Sequence, residues 1–77
     1  MITIKLEIRA DGSKSWYQNG ECHRDNDQPA VILANGSKCW YQNGKYHRDN
    51  DQPAIIIYAD GSKHWYQNGK FIKKESK

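Results

Sequence analysis

Residues 37–54 read SKCWYQNGKYHRDNDQPA, and nearly the same phrase stands at residues 13–30 as SKSWYQNGECHRDNDQPA. A shorter third copy, SKHWYQNGKF, occupies residues 62–71. Ala10–Pro29 aligns without a gap on Ala34–Pro53 at a period of 24, and the third copy, starting at Ala59, arrives at a period of 25. Repetition on this scale governs how the rest of the chain is read, because each unit is too small to bury its own apolar face and must stack on a neighbour. The extra residue falls in PAIIIYADG, where the preceding copy has PAVILANG. It is expected as a bulge or as a strand one residue longer.

All 6 glycines follow Asn or Asp: Asp11-Gly12, Asn19-Gly20, Asn35-Gly36, Asn43-Gly44, Asp60-Gly61 and Asn68-Gly69. Such pairs supply the positive φ angles of a type I′ turn and are the strongest short-range signal for a β-hairpin. Pro29 and Pro53 stand at the entrance to apolar runs, where a missing N–H costs least. The segments between turns are too short for helices and rich in Trp, Tyr, Ile and Val. The fold class is therefore all-β. The expected architecture is an antiparallel meander of about three hairpin repeats in a single curled sheet, with strands near 2–9, 13–18, 21–24, 30–34, 37–42, 45–48, 54–59, 62–67 and 70–73. The HRDNDQP segments are the longer loops between hairpins, their Asp and Asn side chains satisfying turn backbone.

With 77 residues, the chain makes one domain at most and buries roughly 60 to 65% of its unfolded surface, which leaves no room for a large enclosed active site. The apolar fraction is 36%, with 3 Trp, 5 Tyr and 1 Phe, so the aromatics must carry the burial. No apolar run approaches the length of a membrane span. The start, MITIKLEIRA, has neither the apolar region nor the small-residue cleavage site of a secretion signal, and the expected location is the cytoplasm. The net charge of +3 is matched by the last eight residues, KFIKKESK, alone. Residues 73–77 are expected as a flexible basic tail, and residues 1–72 as the single β-repeat domain.

Cys22 takes the place of Tyr46 and Phe71 in the repeat, and Cys39 that of Ser15 and His64, so neither is a repeated chemical feature. Both are expected as reduced, semi-apolar fillers. Cys22, His23, Cys39 and His47 include the residue types of a zinc site, but no paired ligand spacing supports one, and neither metal nor cofactor is expected.

The phrase DGSKxWYQNGKxHRxxxxPA resembles the MORN-type repeats, and more closely the MORN-variant repeats of antitoxin-type bacterial proteins and of proteins from large phages and viruses. The resemblance covers about Ala10 to Phe71. Where typical repeats are glycine-rich after the histidine, this chain has RDNDQPA after His23 and His47. The resemblance implies a row of β-hairpins serving as a non-enzymatic interaction scaffold.

Alternation along the strands sorts the repeated residues onto two faces. Trp16, Trp40 and Trp65 share one face with Lys14, Lys38 and Lys63, and Tyr17, Tyr41 and Tyr66 take the other. With a two-residue loop at each Asn-Gly after the Tyr, Tyr17, Tyr41 and Tyr66 stand opposite Cys22, Tyr46 and Phe71, and the Trp residues opposite His23, His47 and Ile72. Two-residue loops at the other three pairs would add Leu6, Ile8, Ile32 and Ile57 to the Tyr face, making it the better core. The candidate partner-binding face is then the ladder of Trp16, Trp40, Trp65, Lys14, Lys38, Lys63, His23 and His47, with Arg24 and Arg48 at the strand ends. Trp, Tyr and Arg are the types enriched at protein-binding hot spots. The leading expectation is a non-enzymatic protein-binding module, with a second copy of the chain as one candidate partner; the resemblance to phage-type variants implies an inhibitor whose partner is a host defence or toxin protein.

The second reading is single-strand nucleic-acid binding, with bases stacked on Trp and phosphates held by Lys. It ranks lower because the body of the chain lacks positive balance. HRD occurs at 23–25 and 47–49 without the large α/β context that gives it kinase meaning, and no nucleophile–base pair recurs, so no enzyme is expected.

Overall fold

The computed structural model of this protein describes residues 2–76. It is all-β, and its ten strands are β1 (Ile4–Ile8), β2 (Lys14–Gln18), β3 (Glu21–Cys22), β4 (Val31–Ile32), β5 (Lys38–Cys39), β6 (Tyr41–Gln42), β7 (Lys45–Tyr46), β8 (Ile55–Ile56), β9 (Lys63–Gln67) and β10 (Lys70–Glu75). Every pairing is antiparallel. The strands divide between two sheets rather than forming the single curled sheet expected. One has eight strands in the order β1-β2-β4-β5-β8-β9-β10, with β3 on the flank of β2, and the other is the β6–β7 hairpin.

Trp40 stands at the division, where β5 and β6 lack the unbroken partner that β1 gives β2 across Trp16. Its N–H donates to Ala54 O at 2.7 Å on the side of the large sheet, while its carbonyl accepts the His47 N–H at 3.1 Å on the side of the hairpin. The expected strand over 37–42 is therefore interrupted where the chain passes from one sheet to the other. The tip of each second hairpin then rests on the one before it, Gly44 N donating to Cys22 O and Gly69 N to Tyr46 O, both at 2.9 Å.

The six turns are of two kinds. Asn19-Gly20, Asn43-Gly44 and Asn68-Gly69 have positive φ at both residues, 52° and 83° in the first, as a two-residue type I′ turn requires. At Asp11-Gly12 and Asn35-Gly36 only the glycine is left-handed, and the loop holds three residues. Gly12 N donates to Arg9 O at 3.0 Å, and Arg9 N closes the loop on Ser13 O at 2.9 Å. Leu33, Gly36 and Ser37 repeat this arrangement. The Asp or Asn is used as an acceptor instead: Asp11, Asn35 and Asp60 Oδ1 each receive the N–H two residues on, at 2.9 Å. The residue inserted before the third copy lies in this loop and not in a strand, since Ile57 N bonds Ser62 O and Gly61 N bonds Ile57 O.

The longer loop slips the hairpin register by one residue, and a slip of one exchanges the faces. Leu6 pairs with Trp16, Ile8 with Lys14 and Ile32 with Lys38. These three side chains therefore join the Trp and Lys face, not the Tyr face as expected. Ile57 pairs with Ser62 and stays on the Tyr side, because its loop is longer by a further residue.

The core is small. Ala30 and Ala54 are fully enclosed, Trp40 and Trp65 are 6% and 8% exposed, and Ser13, Ser15, Ser37 and Ser62 are buried with them. Two of these serines bond one repeat to the next: Ser13 Oγ accepts Ala34 N–H at 3.1 Å, and Ser37 Oγ accepts Tyr58 N–H at 3.0 Å. A buried hydroxyl with such a partner avoids the desolvation cost of an orphan. At the far end, β10 extends to Glu75, two residues past the expected strand end. Lys73, Lys74 and Glu75 of the expected tail pair with Trp65, His64 and Lys63, after an irregularity that leaves Ile72 out of register. The open strand edge of β9 accounts for this, since its N–H and C=O groups need partners. Lys77 lies outside the described residues.

Candidate functional site

The sequence placed Trp, His and Arg on one working face, and the structure brings them together, but as a set of closed cages. The RDNDQP loop makes this possible. Asn26, Asp27, Asn50 and Asp51 all take positive φ, between 56° and 64°. Two consecutive left-handed residues reverse the loop so that its backbone returns over the tryptophan of the following repeat. Trp40 Nε1 donates to Asp27 O at 3.0 Å, and Trp65 Nε1 to Asp51 O at 2.9 Å. Gln42 and Gln67 Nε2 donate to Arg24 O and Arg48 O of the same loops, at 2.9 and 2.8 Å.

A cation lies over each tryptophan ring, Trp16 included, which has no loop carbonyl on its Nε1 among the described residues. The guanidinium carbons of Arg24 and Arg48 lie 3.7 Å from the ring centroids of Trp16 and Trp40, and Lys73 Nζ lies 4.6 Å from that of Trp65. Arg24 and Arg48 also donate to Pro29 O and Pro53 O, at 3.2 and 3.1 Å. Arg48 holds Asp27 as well, Nε to Oδ1 at 2.9 Å and Nη2 to Oδ2 at 3.3 Å, and this bond keeps the Asp27 carboxyl below its ordinary range. Such contacts over an aromatic face contribute on the order of 1 kcal/mol each. Stacking a nucleic-acid base on Trp40 or Trp65 would require lifting Arg48 or Lys73 away.

The histidines are committed in the same way. His23 Nδ1 accepts the Asn43 N–H at 3.0 Å, so its Nε2 carries the hydrogen and donates to Asp25 Oδ1 at 2.8 Å. His47 repeats this with Asn68 and Asp49, at 3.0 and 2.8 Å. With both ring nitrogens bonded within the chain, a metal at either one would have to displace the hydrogen bond that nitrogen already makes. No group of three or more metal-ligating side chains occurs among the described residues. Cys22 and Cys39 are free thiols that burial pushes above the ordinary range, which disfavours the reactive thiolate. An open groove of about 360 Å³ between the two loops is lined by Arg24, Asp25, Asp27, Arg48 and Asp49, whose charges are largely spent on the bonds just described.

Lys14, Lys38 and Lys63 are apart from the cages. They are exposed, and alternate with Ile8, Ile32 and Ile56 in one row across the large sheet that ends on Glu75.

The opposite side carries what the sequence reading had assigned to the core. Tyr41 and Tyr46 have ring centroids 4.6 Å apart, Tyr46 and Tyr66 5.0 Å, and Tyr66 and Phe71 5.6 Å with an edge-on geometry. These three tyrosines are half-buried, and Phe71 is 57% exposed. Burial, and then the neighbouring Tyr46, raises the Tyr41 hydroxyl well above the ordinary tyrosine range. Among the aromatics the expectation of a Tyr core and an exposed Trp ladder is thus overturned at Trp40 and Trp65, which the loops enclose, while Trp16 is half-buried and Ser13, Ser15, Ser37 and Ser62, on the Tyr side of their strands, are buried as well. The ring pairs themselves, Tyr41 with Tyr46 and Tyr66 with Phe71, follow from the Asn-Gly turns as expected.

No family model matches this chain, and no solved structure does. The chain is similar to an uncharacterized protein of Acanthamoeba polyphaga mimivirus, 52% identical over 27 residues, which cover 35% of this chain and 7% of the viral protein. The chain thus spans a small fraction of the length of the curated relative it matches. No helix among the described residues is long and apolar enough to cross a membrane.

Proposed function

We propose that the chain is a three-repeat β-hairpin array of the MORN-variant kind and acts in the cytoplasm as a non-enzymatic protein-binding module, with the column Tyr41, Tyr46, Tyr66 and Phe71 as its contact surface. The single observation that carries the reading is this ring-on-ring column, half-buried, ending in an exposed Phe71, on the side opposite the loop-covered tryptophans. Aromatics already held by their neighbours lose little conformational freedom on binding and present large amphipathic area, which is what hot spots need. The recurrence of the Trp cages at the repeat spacing supports the array. The titratable groups of the cages are bonded to one another, which leaves no free pair to act as acid and base. The short similarity to a viral protein fits a partner among host defence or toxin proteins.

The test is retention of a partner from a host lysate by the wild type, Phe71→Ser and a Lys14→Ala/Lys38→Ala/Lys63→Ala variant, across a range of salt. Phe71 is exposed, so Phe71→Ser should change stability by less than about 1 kcal/mol while abolishing retention. Binding that survives Phe71→Ser, falls steeply with salt and fails in the triple lysine variant would instead assign the work to the lysine row and a nucleic acid.

A further inference from the structure

The two open edges of the large sheet differ in kind. β10, at one end, carries Lys70, Lys73, Lys74 and Glu75 beside the exposed Phe71 and Ile72, and its register is broken between Phe71 and Lys73. Charge and irregularity are the usual means of keeping an edge from pairing. β1, at the other end, is regular over its whole length against β2 and carries Ile4, Leu6 and Ile8, which are 70%, 46% and 62% exposed.

The repeat shows what the outer edge of β1 is shaped to receive. Ile8 pairs with Lys14 as Ile32 does with Lys38, so Leu6 and Ile8 stand where Ala30 and Ile32 stand in the next copy. There, the outward edge is occupied: Trp16 N donates to Ala30 O at 2.8 Å, and Lys14 pairs with Ile32. In β1 the odd residues face β2, since Arg9 N bonds Ser13 O and Asn19 N bonds Thr3 O. Ile4, Leu6 and Ile8 therefore aim their N–H and C=O groups outward, past the last strand of the sheet among the described residues.

We infer that this edge pairs with the same edge of a second copy, antiparallel about a two-fold axis at Leu6. In that register Leu6 faces the partner's Leu6 and Ile4 faces the partner's Ile8, each as a hydrogen-bonded pair using the outward groups. Between them Lys5 faces the partner's Glu7, and Glu7 the partner's Lys5, in the closer non-hydrogen-bonded positions where opposite charges stabilise. Centring the axis on Lys5 sets lysine against lysine, and centring it on Glu7 sets glutamate against glutamate. A slip that pairs odd with even residues would place Ile opposite charge and exchange the faces. The charge pattern of ITIKLEIRA thus selects one register over its neighbours. The contact uses the same patch on both copies, so it closes at a dimer and does not propagate, the β10 edge being protected. It is separate from the Tyr41–Phe71 column.

The test is sedimentation of the 77-residue chain across a concentration series, with far-ultraviolet spectra to verify folding. Wild type is expected to pass from monomer to dimer and no further. Lys5→Glu and Glu7→Lys each place two like-charged pairs in the interface and should weaken self-association about tenfold or more. Mixing these two variants opposes unlike charges at both positions and should restore dimer, as should the double variant with itself. Rescue of this kind separates pairing across the interface from damage to the fold. A wild type that stays monomeric at the highest concentration overturns the inference, as does a dimer indifferent to both charge reversals or a dimer lost on reversing Lys74 on β10.

Discussion

Trp40 and Tyr41 are consecutive residues pointing to opposite sides of the same thin slab, which measures 39 × 28 × 17 Å. Trp40 is enclosed by an arginine, a loop carbonyl and the next repeat, whereas Tyr41 leans on Tyr46 and stays half-buried. The difference between them lies in what the loops do. A sheet of one layer has no second layer to cover it, and here the cover is made from the polar segment RDNDQP, folded back over one side only. The lesson concerns composition: residues that read as surface by type (Arg, Asn, Asp and Gln) act as the roof of the core through their backbones and stacked side chains.

The sharpest way to break this comparison is to truncate each residue in turn and measure unfolding by denaturant. Trp40→Ala should cost about 3 to 5 kcal/mol, and Tyr41→Ala about 1 to 2 kcal/mol, because its ring is only half removed from water. The opposite order would return the core to the Tyr side. Next in size is the roof itself. Arg48→Lys keeps the charge but loses the flat stack on Trp40 and the two-pronged hold on Asp27, and should lower stability by about 1 to 2 kcal/mol. Arg24→Lys should cost less, since Arg24 stacks on Trp16 without a comparable carboxylate clamp. Equal losses at the two positions would remove Asp27 from the account.

A smaller effect sharpens the comparison of turns. Gly44→Ala forces a side chain onto a φ of +80°, with only Glu21 side-chain atoms near the new Cβ, so backbone strain alone should cost about 1 kcal/mol. The smallest expected effect is that of acid. Asp11 and Asp60 are held below their ordinary pKa by the N–H groups of Ser13 and Ser62, and Asp27 by Arg48. A depressed carboxyl contributes stability that is present above its unfolded value of 3.8 and is lost as the pH falls through the lower folded value. The thermal midpoint should therefore show no decline from these groups between pH 7 and 5, and a modest one below about pH 4. A fall already complete at pH 5 would point to other groups.

How much of this was legible in the sequence can be traced turn by turn. The Asn-Gly pairs after each Tyr announced a two-residue hairpin, and the pairing of Tyr41 with Tyr46 and of Tyr66 with Phe71 followed from it. The same chemistry misled at Asp11-Gly12 and Asn35-Gly36, since a glycine in the left-handed region closes a three-residue loop equally well. The flanking residues do separate the two cases, Ala before and Ser after the pair in the longer loops against Gln before and Glu or Lys after it in the two-residue ones, and the one-residue difference moved Leu6, Ile8 and Ile32 to the other face. The cages were visible only as ingredients. That Asn26 and Asp27 would both turn left-handed, and bring a carbonyl onto Trp40, depends on tertiary contacts that no local pattern encodes. Lys73–Glu75 escaped notice for a related reason: a run of charges reads as a frayed end until an open strand edge is known to lie beside it.

The cages also have a direction in time. Trp40 closes on Asp27, Gln42 on Arg24 and Trp65 on Asp51, so each late side chain binds a segment already behind it in the chain. The serine bonds from Ala34 to Ser13 and from Tyr58 to Ser37 run the same way. A chain emerging from the ribosome can therefore add each unit to the last, each new repeat completing the cover of the one before it. Trp16 and the first hairpin would serve as the seed, and a stall after the second repeat would leave Trp40 without the Ala54 carbonyl that covers it.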